Sequence, residues 1–378
     1  MRILYFTRDY TSHDYRFLTA LAKTEHKVFY LRLERGEHPL EDRSLPPEIE
    51  IISWKGGNAS AGLRNGLSLL QDLKRVIRDV KPDLIQAGPL QRSAFLVALT
   101  GFHPLVSMSW GYDLLQDADR NALWRWATRY TLKRSAALVG DCKTIRQLAI
   151  SHGMPDERIV TFPWGIDLDH FSPETSEQSD ENTFTLLSTR NWEPIYGVDV
   201  IAHSFAQSAQ QRSELRLVML GNGSQAGMLR QILTGSNSTD SQQSSGFNSR
   251  VLFPGLVKYN KLPRFYRSAD LYVAATHSDG TSISLLEAMA CGCPVLVSDI
   301  PGNREWVIPG VNGWLFPDGD ARAMAKAILT AIDERARLPE MAQAARKLAE
   351  ERADWTKNFP GLLRAFEVAM QKTTGQAD

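Results

Sequence analysis

Read for its alternation of apolar and polar positions, the chain states one theme twice. In the first half, short apolar runs predict strands over Ile3–Thr7, Val28–Leu33, Ile49–Trp54, Leu84–Ala87, Leu105–Ser109 and Ala137–Val139. Between them, Tyr15–Lys23 puts Phe17, Leu18 and Leu21 on one helical face, and Leu67–Val80 is amphipathic and ends at Lys81-Pro82. Helices are also expected over Leu90–Leu99, Ala122–Arg134 and Lys143–His152.

The second half restarts the alternation: strands at Phe184–Ser188, Leu215–Leu220 and Val251–Phe253, and helices at Val198–Ala209, Met228–Leu233 and Leu262–Arg267. Its centre is one unit: a buried strand at Leu271–Ala275, a polar loop, a helix over Ser282–Ala290 and a second buried strand at Pro294–Val297. Strand, helix, strand is a βαβ crossover and implies a parallel sheet covered by helices. Amphipathic helices follow at Ala321–Asp333 and Met341–Arg352, then a last one at Phe359–Met370 and a frayed tail from Thr373.

The expected fold class is therefore α/β, with two Rossmann-like domains over residues 1–172 and 183–355 and a C-terminal helix and tail, 356–378, packing back on the first domain. The polar stretch Ser172–Asn182 reads as the linker, and the Ser/Asn/Gln/Gly-rich insert Thr234–Ser249 as a mobile surface loop.

Composition narrows the function classes. Lys+Arg and Asp+Glu both total 43 in 378 residues, a balance that argues against bulk electrostatic binding of nucleic acid. Cys142, Cys291 and Cys293 make neither a disulfide framework nor zinc spacing, so packing is their expected role. The chain opens directly on a strand with no signal-peptide pattern, and no apolar run is long enough to span a bilayer, so a cytoplasmic protein is expected, at most lying against a membrane.

The candidate chemistry gathers in the central unit. Asp279 opens its loop and Glu287 lies on a helix otherwise made of Ile, Leu, Ala and Met, where a merely solvated carboxylate is out of place. Gly280, Thr281 and Ser282 lie between them, where backbone N–H groups open the helix toward an anion, or where Thr281 or Ser282 simply caps it.

An ordered set of phrases gives the sequence a family resemblance. Asp279-x7-Glu287 is followed by Ala288-Met289-Ala290-Cys291-Gly292-Cys293-Pro294-Val295. Pro163-Trp164-Gly165-Ile166-Asp167, Gly221-Asn222-Gly223, Phe253-Pro254-Gly255-Leu256-Val257, Ala269-Asp270-Leu271, Gly302-Asn303-Arg304-Glu305 and Gly310-Val311-Asn312-Gly313 stand in the matching order. Together they resemble retaining glycosyltransferases of family 4, most strongly over Phe184–Gly319. The resemblance implies the GT-B fold, two Rossmann-like domains facing across a central cleft, and transfer of a sugar from a UDP- or GDP-sugar to a glycan, lipid-linked or small-molecule acceptor. It implies no cofactor and no metal at the site.

Carried over residue by residue, the resemblance gives Glu287 the ribose hydroxyls, Asp279 the donor sugar, and Gly280, Thr281, Ser282 and Ile283 the diphosphate side. Asp279 stands where the family has Glu, so its reach is shorter by one methylene. Arg190 corresponds to the phosphate-binding arginine, while Tyr196 stands where a lysine is usual; Lys258 is a candidate substitute, and the backbone near Val257 a base contact. In the first half the family's glycine loop falls near Ser12-His13 without any glycine, leaving His13 and Asp14 as acceptor-side candidates against the alternative of plain exposed loop residues. Trp110-Gly111-Tyr112-Asp113 stands for the family's His-Gly-x-Asp, so that histidine is lost and Asp113 is kept as a catalytic candidate.

Two further readings stay open. The helix Leu123–Arg134 mixes aromatics and bases; the favoured reading is a core stripe of Leu123, Trp126, Ala127 and Tyr130 with a solvated basic face, the other a helix lying on an anionic membrane surface. Competing functions are a sugar-nucleotide epimerase of related fold, a glycan phosphorylase, or a binding subunit whose missing Lys and His have cost it turnover.

Overall fold

The computed structural model describes residues 1–34, 41, 43–56, 65–173, 182–235 and 248–374. Most of the linker, the core of the Ser/Asn/Gln-rich insert and the last tail residues lie outside the described residues.

The chain forms two compact units, Met1–Pro163 with Lys357–Asp378, and Trp164–Thr356. In the first, the strands are β1 (Arg2–Thr7), β2 (Lys27–Arg32), β3 (Glu50–Ile51), β4 (Leu84–Gly88), β5 (Leu105–Met108), β6 (Ala137–Gly140) and β7 (Ile159–Thr161). They build a parallel sheet in the order β3-β2-β1-β4-β5-β6-β7. Its helices are α1 (Ser12–Leu21), α2 (Gly66–Val80), α3 (Phe95–Thr100), α4 (Ala122–Arg134) and α5 (Lys143–Ser151). The C-terminal helix Pro360–Thr374 packs on β5, β6 and β7 through Leu362, Ala365, Phe366 and Ala369, whose spacing puts them on one face.

The second unit holds β8 (Phe184–Ser188), β9 (Leu215–Leu220), β10 (Val251–Gly255), β11 (Leu271–Ala274), β12 (Val295–Ser298) and β13 (Gly313–Phe316), again all parallel, in the order β10-β9-β8-β11-β12-β13. Its helices are α6 (Val198–Ala209), α7 (Ala226–Thr234), α8 (Leu262–Arg267), α9 (Ile283–Ala290), α10 (Pro301–Arg304), α11 (Ala321–Asp333) and α12 (Leu338–Arg352). α9 is buried nearly all round, from Leu285 to Ala290, which is why its sequence shows little polar face.

In each sheet the strand order reverses once, between β1 and β4 and between β8 and β11. Loops at the C-terminal ends of strands diverge at such a point and leave a crevice for ligands.

The structure corrects four expectations. The division between the units falls at Pro163–Trp164 rather than at residue 172, because Ile166 and Phe171 are buried in the second core and Ile166 N–H donates to Ala353 O at 2.7 Å. The third strand pairs over only two residues, and β7 and β13 were not foreseen. Leu90–Leu99 is not one α-helix, since its first turn, Leu90–Ala94, is wound wider before α3 begins. On α4 the buried face is Ala127, Thr128, Thr131 and Leu132, whereas Leu123 and Trp126 are 57% and 51% exposed. The threonines turn inward because they have polar partners there: Gln91 Nε2 donates to Thr128 Oγ1 at 2.7 Å, and Thr131 Oγ1 donates to Leu90 O at 3.2 Å.

Candidate active site

Arg190 lies just beyond β8 and Asp279 just beyond β11, strands paired at Leu186–Leu271 and Leu187–Tyr272, so the sheet itself brings these two residues to the switch point. Arg190 Nη2 donates to Asp279 Oδ2 at 2.8 Å, and Nη1 donates to Ser282 Oγ at 3.0 Å and Ser284 Oγ at 3.2 Å. Its guanidinium carbon lies 4.1 Å from the ring centroid of Tyr196. Burial by itself would lower the arginine's pKa, but the charge of Asp279, with Tyr272 and Tyr196, outweighs it and the net shift is upward, so the cation is held firmly charged. Its Nε is buried with no partner among the described residues, a donor left over for a further acceptor.

Ser282 is the N-cap of α9, yet its side chain makes no cap bond; its hydroxyl accepts from Arg190 instead. The first turn of the helix thus opens without that capping oxygen, beside a cation. Gly280 and Thr281 are buried in the loop leading to it, and Ile283 is half-buried at its first turn.

One turn further along, Glu287 is 7% exposed and accepts from Tyr266 Oη at 2.8 Å. Burial and the neighbouring carboxylate drive the Tyr266 phenol well up, so it stays protonated and donates. Its single proton being committed to Glu287, the contact with Thr189 Oγ1 at 3.0 Å has the threonine as donor. Tyr272 Oη likewise donates to Ser284 Oγ at 2.9 Å. Two buried tyrosines therefore brace Glu287 and Ser284 from behind.

Two glycines let the loops close this tightly. A Cβ on Gly197, at φ +57°, would lie 2.0 Å from Ala275 O, and one on Gly302 would lie 2.1 Å from Gly280 O. Trp192 N–H donates to Asn222 O at 2.9 Å and Glu193 accepts from Ser224, tying the Arg190 loop to the Gly221-Asn222-Gly223 turn.

Residues 172–348 match the model of the glycosyl transferases group 1 and residues 12–170 that of glycosyltransferase family 4. The chain belongs to this glycosyltransferase family. It is 27% identical over 242 residues to the D-inositol 3-phosphate glycosyltransferase of Geodermatophilus obscurus, covering 60% of this chain and 51% of the relative. The corresponding Frankia alni protein is 28% identical over 229 residues, covering 57% and 54%. The chain thus spans about half the length of the curated relatives it matches. Among solved structures it resembles Anabaena HepE in complex with UDP-glucose, with a TM-score of 0.73, 18% identity and coverage of 99% of this chain and 100% of that one. It also resembles sucrose-phosphate synthase from Thermosynechococcus elongatus, with a TM-score of 0.76, 16% identity and coverage of 97% and 98%. At these identities the likeness is one of fold, and the fold is GT-B.

Set against what the glycosyltransferase resemblance implied, the structure brings Arg190, Asp279 and Ser282 into hydrogen-bonding contact, with Glu287 further along the same helix as Ser282. Val257 packs half-buried beside the second core, while Lys258 is exposed at the start of a turn and forms no ion pair among the described residues. Reasoning from sequence missed Tyr266, Thr189, Tyr272 and Ser284. Ser284 was discoverable, because it sits three residues before Glu287 on the same helical face. The tyrosines gave no signal, since a buried Tyr at an apolar position reads as core.

In the first unit the candidates Asp113 and Asp14 are buried and His13 is half-buried. Asp113 is 0% exposed: Oδ1 accepts from Ser109 Oγ at 2.5 Å and from Leu114 N–H at 3.0 Å, and Oδ2 from Leu90 N–H at 3.0 Å. These bonds tie the loops after β4 and β5. Asp14 is not in a loop but in the first turn of α1, where it forms a capping box with Thr11 and accepts from Tyr5 Oη at 3.1 Å. Burial, against these hydrogen bonds, pushes the Asp14 carboxyl up to about 7 and that of Asp113 up to about 6. His13, also on α1, is half-buried with its ring 5.6 Å from that of Trp110.

Proposed function

We propose that the chain is a retaining glycosyltransferase that moves a hexose from a nucleotide-diphospho-sugar to a glycan or lipid-linked acceptor. The observation that carries this reading is the arrangement of Arg190, the N-terminus of α9 and the braced Glu287 at the strand-order reversal of the second sheet. An ionised carboxylate is acceptor-only, and the adjacent hydroxyls of a ribose supply two donors to it. Arg190 and the amides from Gly280 to Ile283 take the diphosphate, the guanidinium exchanging part of its bond to Asp279 for phosphate oxygens. Asp279, released from Arg190, accepts from hydroxyls of the donor sugar.

The step itself breaks the bond from the anomeric carbon to the diphosphate oxygen and forms one to the acceptor oxygen on the same face. The acceptor's proton passes to the departing phosphate, so no protein nucleophile is needed. Arg190 neutralises the charge that grows on the leaving group, an interaction stronger in the transition state than before it. His13 is the residue of the first unit proposed to face the acceptor, and Val257 the backbone proposed to meet the base. Lys258, the lysine considered as a second phosphate cation, is not assigned that part.

A thermal-shift panel of UDP- and GDP-sugars on the wild type and on Glu287→Ala tests the donor half. At least one donor is expected to stabilise the wild type and to leave the variant unshifted. If no nucleotide sugar shifts the wild type, the reading fails. With an acceptor in hand, the anomeric configuration of the product by NMR decides between retention and inversion.

A further inference from the structure

The outward face of α4 is unusual for a helix lying on a sheet. At 100° per residue it centres on Trp126, with Leu123 and Tyr130 on one side and Arg125 and Arg129 on the other, Lys133 lying close to the centre line. Trp126 stacks on Tyr130 at 5.5 Å between centroids and meets the edge of Phe95 of α3 at 5.6 Å, while the Arg134 guanidinium lies 5.6 Å from the Tyr130 ring. The aromatic strip is thus held in place by its own contacts yet left open to solvent. A pocket of about 370 Å³, lined by Leu67, Leu70, Phe95 and Leu99 among others, borders it and extends the apolar surface toward α2.

The charge on this helix has one sign. α4 carries Arg125, Arg129, Lys133 and Arg134 and no acidic residue, in a chain whose formal net charge is zero. Arg125 pairs with the exposed Asp119 at 2.7 Å. Among the described residues Arg129, Lys133 and Arg134 form no ion pair, and all three are exposed. Exposed Trp and Leu flanked by long basic side chains match the boundary of an anionic bilayer: the rings enter the headgroup layer while the bases reach anionic headgroups. A run of bases with no acid among them on the helix favours the uniformly anionic surface of a bilayer as the occupant.

We propose that the α3–α4 face is a peripheral docking surface for anionic lipid membranes. It lies wholly on the first unit and does not depend on the transfer reaction, so it stands or falls separately from the function proposed above.

Flotation of the full chain with phosphatidylglycerol–phosphatidylcholine vesicles, against pure phosphatidylcholine vesicles, tests it. Binding is expected with the anionic vesicles only, weakening as salt is raised. Removing Arg129 and Lys133 together (R129Q/K133Q) should lower partitioning about thirtyfold, on a scale of about fivefold per base. Leu123→Ser with Trp126→Ser should abolish flotation while any donor-induced thermal shift stays as in the wild type. Wild type that stays with the soluble fraction in anionic vesicles would overturn the proposal. So would flotation unchanged in both variants, or a concentration-dependent dimer in sedimentation velocity that Trp126→Ser dissolves without altering lipid binding.

Discussion

Arg190 serves two loops at once: it is the cation proposed for the diphosphate and also the strut from the β8 loop to Asp279, Ser282 and Ser284. Arg190→Ala should therefore lower kcat on the order of a hundredfold or more, and Arg190→Lys should not restore it, because an ammonium is a compact point charge without the planar fork that reaches both loops or the flat face that lies on Tyr196. Steady-state kinetics with saturating acceptor separates these. Tyr266→Phe removes one donor to Glu287 and should raise the donor KM about fivefold with kcat little changed; an equal fall in kcat would place Tyr266 in the transition state instead. The buried carboxyls of the first unit predict a pH dependence. Asp14 holds its proton to about 7 in the fold and would release it near 3.8 when unfolded, so the stability it contributes is complete below that lower value and is lost as pH rises through about 7. Asp113 adds the same sign, its contribution being lost as pH rises from about 3.8 to about 6. The thermal midpoint of the first unit should fall across this window, and Asp14→Asn should flatten the fall. Of these residues, Glu287 stood out in the sequence as a charge on an apolar helix, whereas Arg190 and the sugar-side part of Asp279 came from the family resemblance. The sequence hid Tyr266 and Tyr272 because their hydroxyls are polar atoms on otherwise core-like side chains.

At the scale of the element, periodicity located nearly every strand and helix, since most helices bury one stripe and each central strand is apolar throughout. It failed where burial was incomplete or where partners lay elsewhere in the sequence. β3 and β13 are short and lie at sheet edges, and α1 begins three residues earlier than its apolar spacing because Thr11 and Asp14 cap it. The face of α4 was misassigned for a similar reason: Thr128 and Thr131 look like surface residues until the turn at Leu90–Ala94 supplies their hydrogen bonds. Backbone approach was also invisible in sequence, though glycine hinted at it. Gly197→Ala combines a left-handed backbone with a clash against Ala275 O, and should cost about 2 kcal/mol or more of stability in the second unit, measured by urea denaturation. Gly302→Ala should instead displace the Asp279–Gly280 loop, seen as weaker donor binding in the thermal-shift assay.

For the whole molecule, the chain leaves the first unit at Pro163, completes the second, and returns at Lys357. The second unit is therefore an insertion within the first. Residues 164–356 expressed alone should unfold cooperatively and keep the donor-induced shift, as all of Arg190, Asp279 and Glu287 lie within them. Truncation after Thr356 should destabilise the first unit severely, because Leu362 and Phe366, both buried against β5–β7, are worth about 1.5–3 kcal/mol each in apolar burial alone. Limited proteolysis of the truncated chain would show the second unit surviving as a resistant fragment.

The returning helix also dictates an order of events on the ribosome. The first unit is synthesised earliest, yet the layer that covers one end of its sheet emerges last, after the inserted unit has had the whole of its own synthesis in which to fold. Until then, the apolar surface over β5–β7 is uncovered, and a nascent chain stalled before Lys357 is the form in which a chaperone would find it.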